Sequence, residues 1–128
     1  MGLDQYAMSI SMEILREDAM TDINCINSEQ FDTFHTWRKH PDLQGWMEEL
    51  YHKKGGYQGT FNSGANVRLT LVDLDNLKEA VMQDKLPKTA GFFFGDSRPE
   101  ELMDDLDFIK QARELILSGK AVIYDSWW

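Results

Sequence analysis

The sequence predicts an α+β fold, with a small, mainly antiparallel sheet of about three strands and about three helices packed on it. Three patterns predict this class. Apolar residues alternate with polar ones near the start of the chain, they recur at three- and four-residue steps in the middle, and strand-forming residues dominate the end. A length of 128 residues is typical of one domain, so we expect residues 1–128 to fold as a single unit.

Strands are predicted where apolar residues alternate or β-branched residues accumulate. Residues 3–12 place Tyr6, Met8, Ile10 and Met12 on one side, which is the period of a half-buried strand. Strand-forming residues also fill 67–72 and 120–127. We expect the first and last strands to be neighbours, and the polar stretch 16–30 to be mostly loop.

The first predicted helix begins at Pro41, because proline suits the first turn of a helix. Its apolar residues recur at helical steps, and Gly55-Gly56 end it and open a loop to about residue 64. A second helix is predicted from Asp73, taken as its cap, to about Lys85. Ser97-Arg98-Pro99-Glu100 has the form of a capping box and predicts a third helix to about Ser118.

Composition and charge limit the classes of function. The hydrophobic fraction of 42% and charged fraction of 27% are those of a soluble globular protein, and the single cysteine fits a reducing compartment. The start of the chain lacks the pattern of a signal peptide, so we predict a cytoplasmic protein without a membrane partner. The net charge of −9 argues against a nucleic-acid partner, which needs a basic face.

Sequence motifs for catalysis, cofactors and metals are lacking. The three histidines form no helical pair and Cys25 has no Cys-x-x-Cys mate, so we predict no metal site and interpret the histidines as surface or hydrogen-bonded residues. The chain carries no phosphate-binding loop or nucleophile elbow, which predicts no cofactor and assigns no catalytic residue. The acidic run at 100–107 is interpreted as the solvated face of a helix start.

The large aromatic residues indicate a candidate binding site. Two tryptophans bracket a predicted basic turn, three phenylalanines are consecutive, and the chain ends on two tryptophans. Aromatic residues and arginine are the types that most often anchor interfaces. We therefore expect these rings to converge around a guanidinium. The candidate binding residues are Trp37, Arg38, Lys39, Gln44, Trp46, Phe92, Phe93, Phe94, Tyr124, Ser126 and Trp127.

Four blocks of the chain resemble a family of small uncharacterised proteins found mostly in bacteriophages and some bacteria. The blocks are Met1-Gly2-Leu3-Asp4-Gln5-Tyr6, Trp37-Arg38-Lys39 with Trp46, Leu86-Pro87 with Gly91-Phe92-Phe93-Phe94-Gly95, and Tyr124-Asp125-Ser126-Trp127. The chain departs from the family pattern at Pro41 and Gln44, where that pattern has an Asn and a His. The resemblance implies a phage-type accessory protein acting in a bacterial cytoplasm, and it implies no catalytic residues.

Three hypotheses about function follow from these patterns. The first is a non-catalytic binding module with the aromatic-plus-arginine site, whose partner is an unknown host or phage protein or a second copy of the chain. The second is a small enzyme or sensor in which Arg38 holds an anionic small molecule and Gln44, Asp125 or His35 supplies polar chemistry. The third is an acidic mimic of DNA that occupies a host protein.

Overall fold

The computed structural model describes residues 2–23, 30–89 and 97–128. Over these residues the chain forms four strands and three helices, which confirms the α+β class with one strand more than expected. In chain order they are β1 (Asp4–Ser11), β2 (Asp32–Arg38), α1 (Pro41–Lys53), β3 (Val67–Leu69), α2 (Leu71–Met82), α3 (Glu101–Leu117) and β4 (Lys120–Trp127). No helix in the described part of the chain is both long enough and apolar enough to cross a membrane.

The strands form one antiparallel sheet in the order β2-β1-β4-β3. The first and last strands are neighbours at its centre, as the sequence predicted. Gln5 on β1 pairs with Trp37 on one side and with Ser126 on the other. Since side chains opposite one another in register share a face, these three residues lie on the same face of the sheet.

Strand β2 was not predicted, and the interpretation of Trp37-Arg38-Lys39 as a turn is wrong for its first two residues. Trp37 and Arg38 end β2, and only Lys39, with a φ of 58°, lies in the turn. A bulge opposite Ala7 and Met8 leaves Phe34 without a partner in the ladder. The bulge interrupts the period-two pattern, which is the signal by which a strand is recognised in a sequence.

The helices cover one face of the sheet, where the main core lies. Buried Leu43 and Met47 of α1, Leu74 and Leu77 of α2 and Phe108 of α3 belong to this core. They pack against buried residues of the strands, which are Ala7, Trp37, Val67, Leu69, Val122 and Tyr124. The predicted arrangement of helices on one face is therefore confirmed.

The opposite face of the sheet is covered only in part. Ile10, Ala121 and Ile123 form a second core with Ile23, and the stretch 12–19 packs against it. Among the residues described, none covers the end of β4 in this way, and Trp127 there is 60% exposed.

Two helix starts differ from the predictions. Helix α2 begins three residues earlier than expected, because Thr70 caps it and Asp73 completes a capping box from the third helical position. Helix α3 begins at Glu101 without a side-chain cap, so the predicted capping box at Ser97 does not form. Strand β3 consequently ends at Leu69, and α2 ends at Met82 rather than near Lys85.

Candidate functional site: a cleft with a buried His–Asp pair

Trp37, the first candidate from the sequence, lies inside the main core. Its side chain faces the helices, and its ring lies 4.7 Å from that of Phe108 and 6.0 Å from that of Tyr124. The indole N–H donates a hydrogen bond to Asp105 Oδ1 at 3.0 Å. Trp37 therefore holds α3 against the sheet and is too buried to contact a ligand directly.

Trp127 and Arg38 lie on the opposite face of the sheet from Trp37. Trp127 follows Ser126, which shares a face with Trp37, so its side chain points the other way. Asp4 pairs with both Arg38 and Trp127 in register, and Arg38 Nε lies 3.9 Å from Asp4 Oδ1. The expectation that these rings converge around one guanidinium is therefore wrong.

Gln44, Tyr124 and Ser126 belong to a buried polar network under α1. The Tyr124 hydroxyl donates to Gln44 Oε1, and Gln44 Nε2 donates to Ser126 Oγ at 2.9 Å. Gln5 Nε2 donates to the same hydroxyl at 2.8 Å. Burial is the main cause that raises the pKa of Tyr124 well above its ordinary value, so the phenol stays neutral and can donate. This network connects β1, β4 and α1, and its members have internal partners.

The remaining candidate binding residues do not lie together in the described structure. Lys39 is exposed, and Trp46 is partly buried against the main core. Phe92, Phe93 and Phe94 lie outside the described residues.

The structure instead brings other residues together around a cleft of about 430 Å³. The cleft lies between the start of α1, the end of α2 and the start of α3. We call it the His40 cleft. Its polar lining includes His40, Asp42, Lys88, Ser97, Arg98, Glu101 and Asp105, and its apolar lining includes Val81, Leu86 and Leu102.

His40 is held at the floor of this cleft by the backbone as well as by its ring. It is the residue before α1, and the Gln5 amide bonds to both its N–H and its carbonyl at 2.9 Å. On the ring, Nδ1 lies 2.7 Å from Ser97 Oγ and Nε2 lies 2.8 Å from Asp105 Oδ2. With a side chain only 3% exposed, the imidazole has one fixed orientation.

Asp105 is the partner that connects the cleft floor to the core. Its side chain is 2% exposed, and its two oxygens accept from different donors, the Trp37 indole and the His40 imidazole. Its position on α3 places Glu101, one turn earlier, on the same face of the helix. Glu101 is itself buried, and its Oε1 accepts from Arg98 Nη2 at 3.3 Å.

Charge is distributed unevenly in the His40 cleft. The floor carries the carboxylates of Glu101 and Asp105, whose side chains are 10% and 2% exposed. The rim carries the cations Lys88 and Arg98, whose side chains are 75% and 66% exposed. It also carries the carboxylate of Asp84, which is 93% exposed and lies 3.8 Å from Lys88 Nζ. The cleft is thus acidic at depth and has two basic groups and one acidic group at its mouth.

Sequence reasoning did not identify this site. Asp105 was interpreted as part of a solvated acidic face, which is wrong because it is buried. One signal was present: Glu101, Asp105, Phe108, Ile109 and Ala112 recur at helical steps and form the buried side of α3. A carboxylate on the buried stripe of a helix indicates a partnered or functional group.

His35 and Asp125, the other polar residues of the second hypothesis, lie apart from the His40 cleft. His35 Nε2 lies 3.1 Å from Asp104 Oδ2, and its ring lies 4.5 Å from that of Trp37. Asp125 lies in β4, two residues before exposed Trp127. Its own carboxyl group is largely buried, and this burial raises its pKa above the ordinary value of 3.8. Neither residue lines the cleft.

No protein-family model, curated protein or solved structure matches this chain.

Proposed function

We propose that the protein is a small enzyme or sensor that binds an anionic small molecule in the His40 cleft. The observation that carries the proposal is the 2.8 Å contact between His40 Nε2 and Asp105 Oδ2 at the floor of the cleft. Ionisable groups that are both buried and adjacent to open volume are concentrated at ligand and catalytic sites. A cleft of about 430 Å³ has the size of a small-molecule site.

The rim of the cleft supports an anionic ligand. Lys88 and Arg98 reach its mouth from two different segments, and both side chains are largely exposed. Helices α1 and α3 also begin at the cleft, so the positive ends of two helix dipoles are near it. Lys88 Nζ also lies 3.5 Å from Asp42 Oδ2 and 3.8 Å from Asp84 Oδ1. An anion bound at the mouth would therefore share the two cations with these carboxylates and with Glu101 while its other groups reach the hydrogen-bonding floor.

A thermal-shift screen with nucleotides, sugar phosphates and small carboxylates tests this proposal. A ligand that binds only the folded state raises the melting temperature by mass action. We expect the shift produced by an active compound to be lost in the double variant Lys88→Ala/Arg98→Ala and kept in Lys110→Ala, which removes an exposed cation from α3 outside the cleft. A shift that persists in the double variant would place the ligand elsewhere.

A non-catalytic binding module is the second candidate, and the exposed end of β4 favours it. Trp127 is 60% exposed beside Asp4 and Arg38, and an exposed tryptophan with a nearby arginine is typical of interface anchors. The partner would be a host or phage protein, or a second copy of the chain. Loss of partner capture in Trp127→Ala, with Lys88→Ala/Arg98→Ala unaffected, would support this candidate over the cleft.

The resemblance of the four sequence blocks to a phage family remains a prediction. If it holds, the protein would act as an accessory factor in the cytoplasm of a bacterial host, and the ligand of the cleft would be a metabolite of that host.

A further inference from the structure

We infer that His40, Glu101 and Asp105 form a binding site for a divalent transition-metal ion at the floor of the His40 cleft. One potential ligand atom from each residue lies within 4.8 Å of the other two. All three residues are buried, and all three line the cleft. The inference deepens the proposed function and rests on this cleft being the functional site.

The separation between His40 and Asp105 is close to that of shared coordination, and Glu101 lies within 4.8 Å of both. Metal–ligand bonds of about 2.0–2.2 Å place neighbouring ligand atoms roughly 3–3.5 Å apart around one ion. His40 Nε2 and Asp105 Oδ2 are 2.8 Å apart, so a shift of a few tenths of an ångström would let both atoms bind the same ion. Such a shift is small enough for side-chain rotation alone.

Each potential ligand also has the outer partner that a metal ligand requires. Ser97 Oγ contacts the other ring nitrogen of His40, and the Trp37 indole donates to the other oxygen of Asp105. Arg98 donates to one oxygen of Glu101. Partners of this kind fix the orientation of metal-binding side chains, and in each of the three residues they leave a second nitrogen or oxygen that could bind the ion.

The imidazole of His40 can bind the ion without changing the number of protons on its ring. When Nε2 binds the ion, a neutral imidazole carries its proton on Nδ1 and donates it to Ser97 Oγ. That oxygen already accepts from the backbone N–H of Asp42 at 3.1 Å, and its second lone pair is available for the Nδ1 proton. The change is a switch of tautomer in which one proton leaves Nε2 and one joins Nδ1.

The charge of the floor favours a cation. With His40 bound to the ion as a neutral imidazole, the two buried carboxylates would carry a formal charge of −2, and buried charge is costly unless it is balanced. Arg98 is a weak counterion because it is 66% exposed and screened by water. A divalent ion would balance both carboxylates and would leave coordination positions open toward the cleft.

The donor set selects the class of ion. One imidazole nitrogen with two carboxylate oxygens suits Mn²⁺ or Zn²⁺ better than Ca²⁺ or Mg²⁺, which prefer all-oxygen sites. The open positions would face the mouth, where Lys88 and Arg98 lie, so the ion and these cations together would hold an anionic ligand. The ion would thereby let an acidic floor and the two cations of the rim bind one ligand.

The test titrates Mn²⁺ into EDTA-treated wild-type protein and follows free Mn²⁺ by electron paramagnetic resonance, with Zn²⁺ titrated by calorimetry. The decisive variant is Glu101→Gln, with Glu100→Gln as control, since Glu100 is an exposed carboxylate one residue away. The Glu101 side chain is 10% exposed, against 3% for His40 and 2% for Asp105, so we expect its variant to disturb folding less than variants of those two residues. We expect one ion per wild-type chain, an affinity loss of about 100-fold in Glu101→Gln and an unchanged affinity in Glu100→Gln.

Ser97→Ala supplies a second readout. It should weaken binding of the same ion about 10-fold, because the orientation of His40 is less restrained. Failure of both ions to bind the folded wild type, or equal binding by the two glutamate variants, would overturn the metal site.

Repeating the anion screen in EDTA and in Mn²⁺ separates the two proposals. Anion binding that persists in EDTA while no ion binds would remove only the metal site. Ion binding without any anion binding would remove only the proposed ligand.

Discussion

Removing the Asp105 carboxylate should destabilise the protein far more than removing its neighbour on the same helix. In Asp105→Ala, the Trp37 indole N–H and the ring N–H of His40 both lose their acceptor inside the protein. Each unsatisfied buried donor costs about 1–3 kcal/mol, so the expected loss in the free energy of unfolding is about 2–6 kcal/mol. That is a large part of the roughly 5–15 kcal/mol by which a domain is stable.

The corresponding change in melting temperature follows from chain length. An unfolding entropy of about 2.1 cal/mol/K per residue gives about 270 cal/mol/K for 128 residues, or about 4 °C for each kcal/mol. Asp105→Ala should therefore lower the melting temperature by about 7–22 °C. Circular dichroism during heating and urea denaturation, both in EDTA, would measure the two quantities.

Asp104→Ala is the matched control for this experiment. It makes the same substitution one residue earlier, but the Asp104 side chain is 45% exposed and its ion pair is with His35. Partly exposed pairs contribute about 0–1 kcal/mol, so its melting temperature should change by no more than a few degrees. If Asp105→Ala is no less stable than Asp104→Ala, Asp105 does not organise the cleft floor as described.

Three further substitutions test other parts of the structure. Tyr124→Phe leaves Gln44 Oε1 without its hydroxyl donor and should cost about 1–3 kcal/mol in urea denaturation; an unchanged midpoint would contradict the buried network. Gly45→Ala should gain about 1 kcal/mol in helix propensity, but its Cβ would lie 1.9 Å from Thr89 Oγ1, and overpacking costs about 1–3 kcal/mol. We therefore expect a net loss of up to about 2 kcal/mol, and a gain in stability would show that Thr89 does not pack there. Because burial raises the pKa of Asp125, the folded state binds its proton more tightly than the unfolded state, so this group makes wild-type stability fall as pH rises from about 4 through the raised pKa. Asp125→Asn should lack this fall in urea denaturation at a series of pH values, and parallel pH profiles would refute the shift.

Local patterns were sufficient to predict most of the helices and the two central strands. Pro41 and the apolar steps after it located α1, and the alternation from Tyr6 to Ile10 located β1. These patterns depend only on neighbours in the sequence, and the tertiary structure keeps the helix and the strand that they predict. The predicted boundary was wrong where two residues could each cap a helix, as Thr70 and Asp73 could at the start of α2.

Strand β2 and the cleft depend on contacts that no local pattern reports. Phe34 and His35 both contact the ring of Phe108, at 5.9 Å and 5.7 Å, so the alternation expected of a strand is lost at the bulge. His40 and Asp105 are separated by 65 residues, and neither has a motif partner at short spacing. The helical spacing of the apolar residues of α3 indicates that Asp105 is buried, but nothing in the sequence identifies His40 as its partner.

The aromatic hypothesis was wrong about Trp37 and Trp127 for a simple reason of register. Both residues are near strand ends, and a strand directs successive side chains to opposite faces. Gln5 pairs with Trp37 and with Ser126, which precedes Trp127, so the two tryptophans point away from one another. The face of a side chain is set by strand pairing, and pairing was not visible in the sequence.

The central claim is that the His40–Asp105 pair is the floor of a ligand site, and NMR of the histidine rings tests it most directly. The chain has three histidines, so ¹⁵N-labelled protein gives a simple ring spectrum in which exposed His52 serves as an internal control. We predict that the anionic compound giving the largest thermal shift moves the His40 ring signals and leaves those of His52 in place. Stationary His40 signals throughout the anion panel, or movement confined to His35 and His52, would contradict the account.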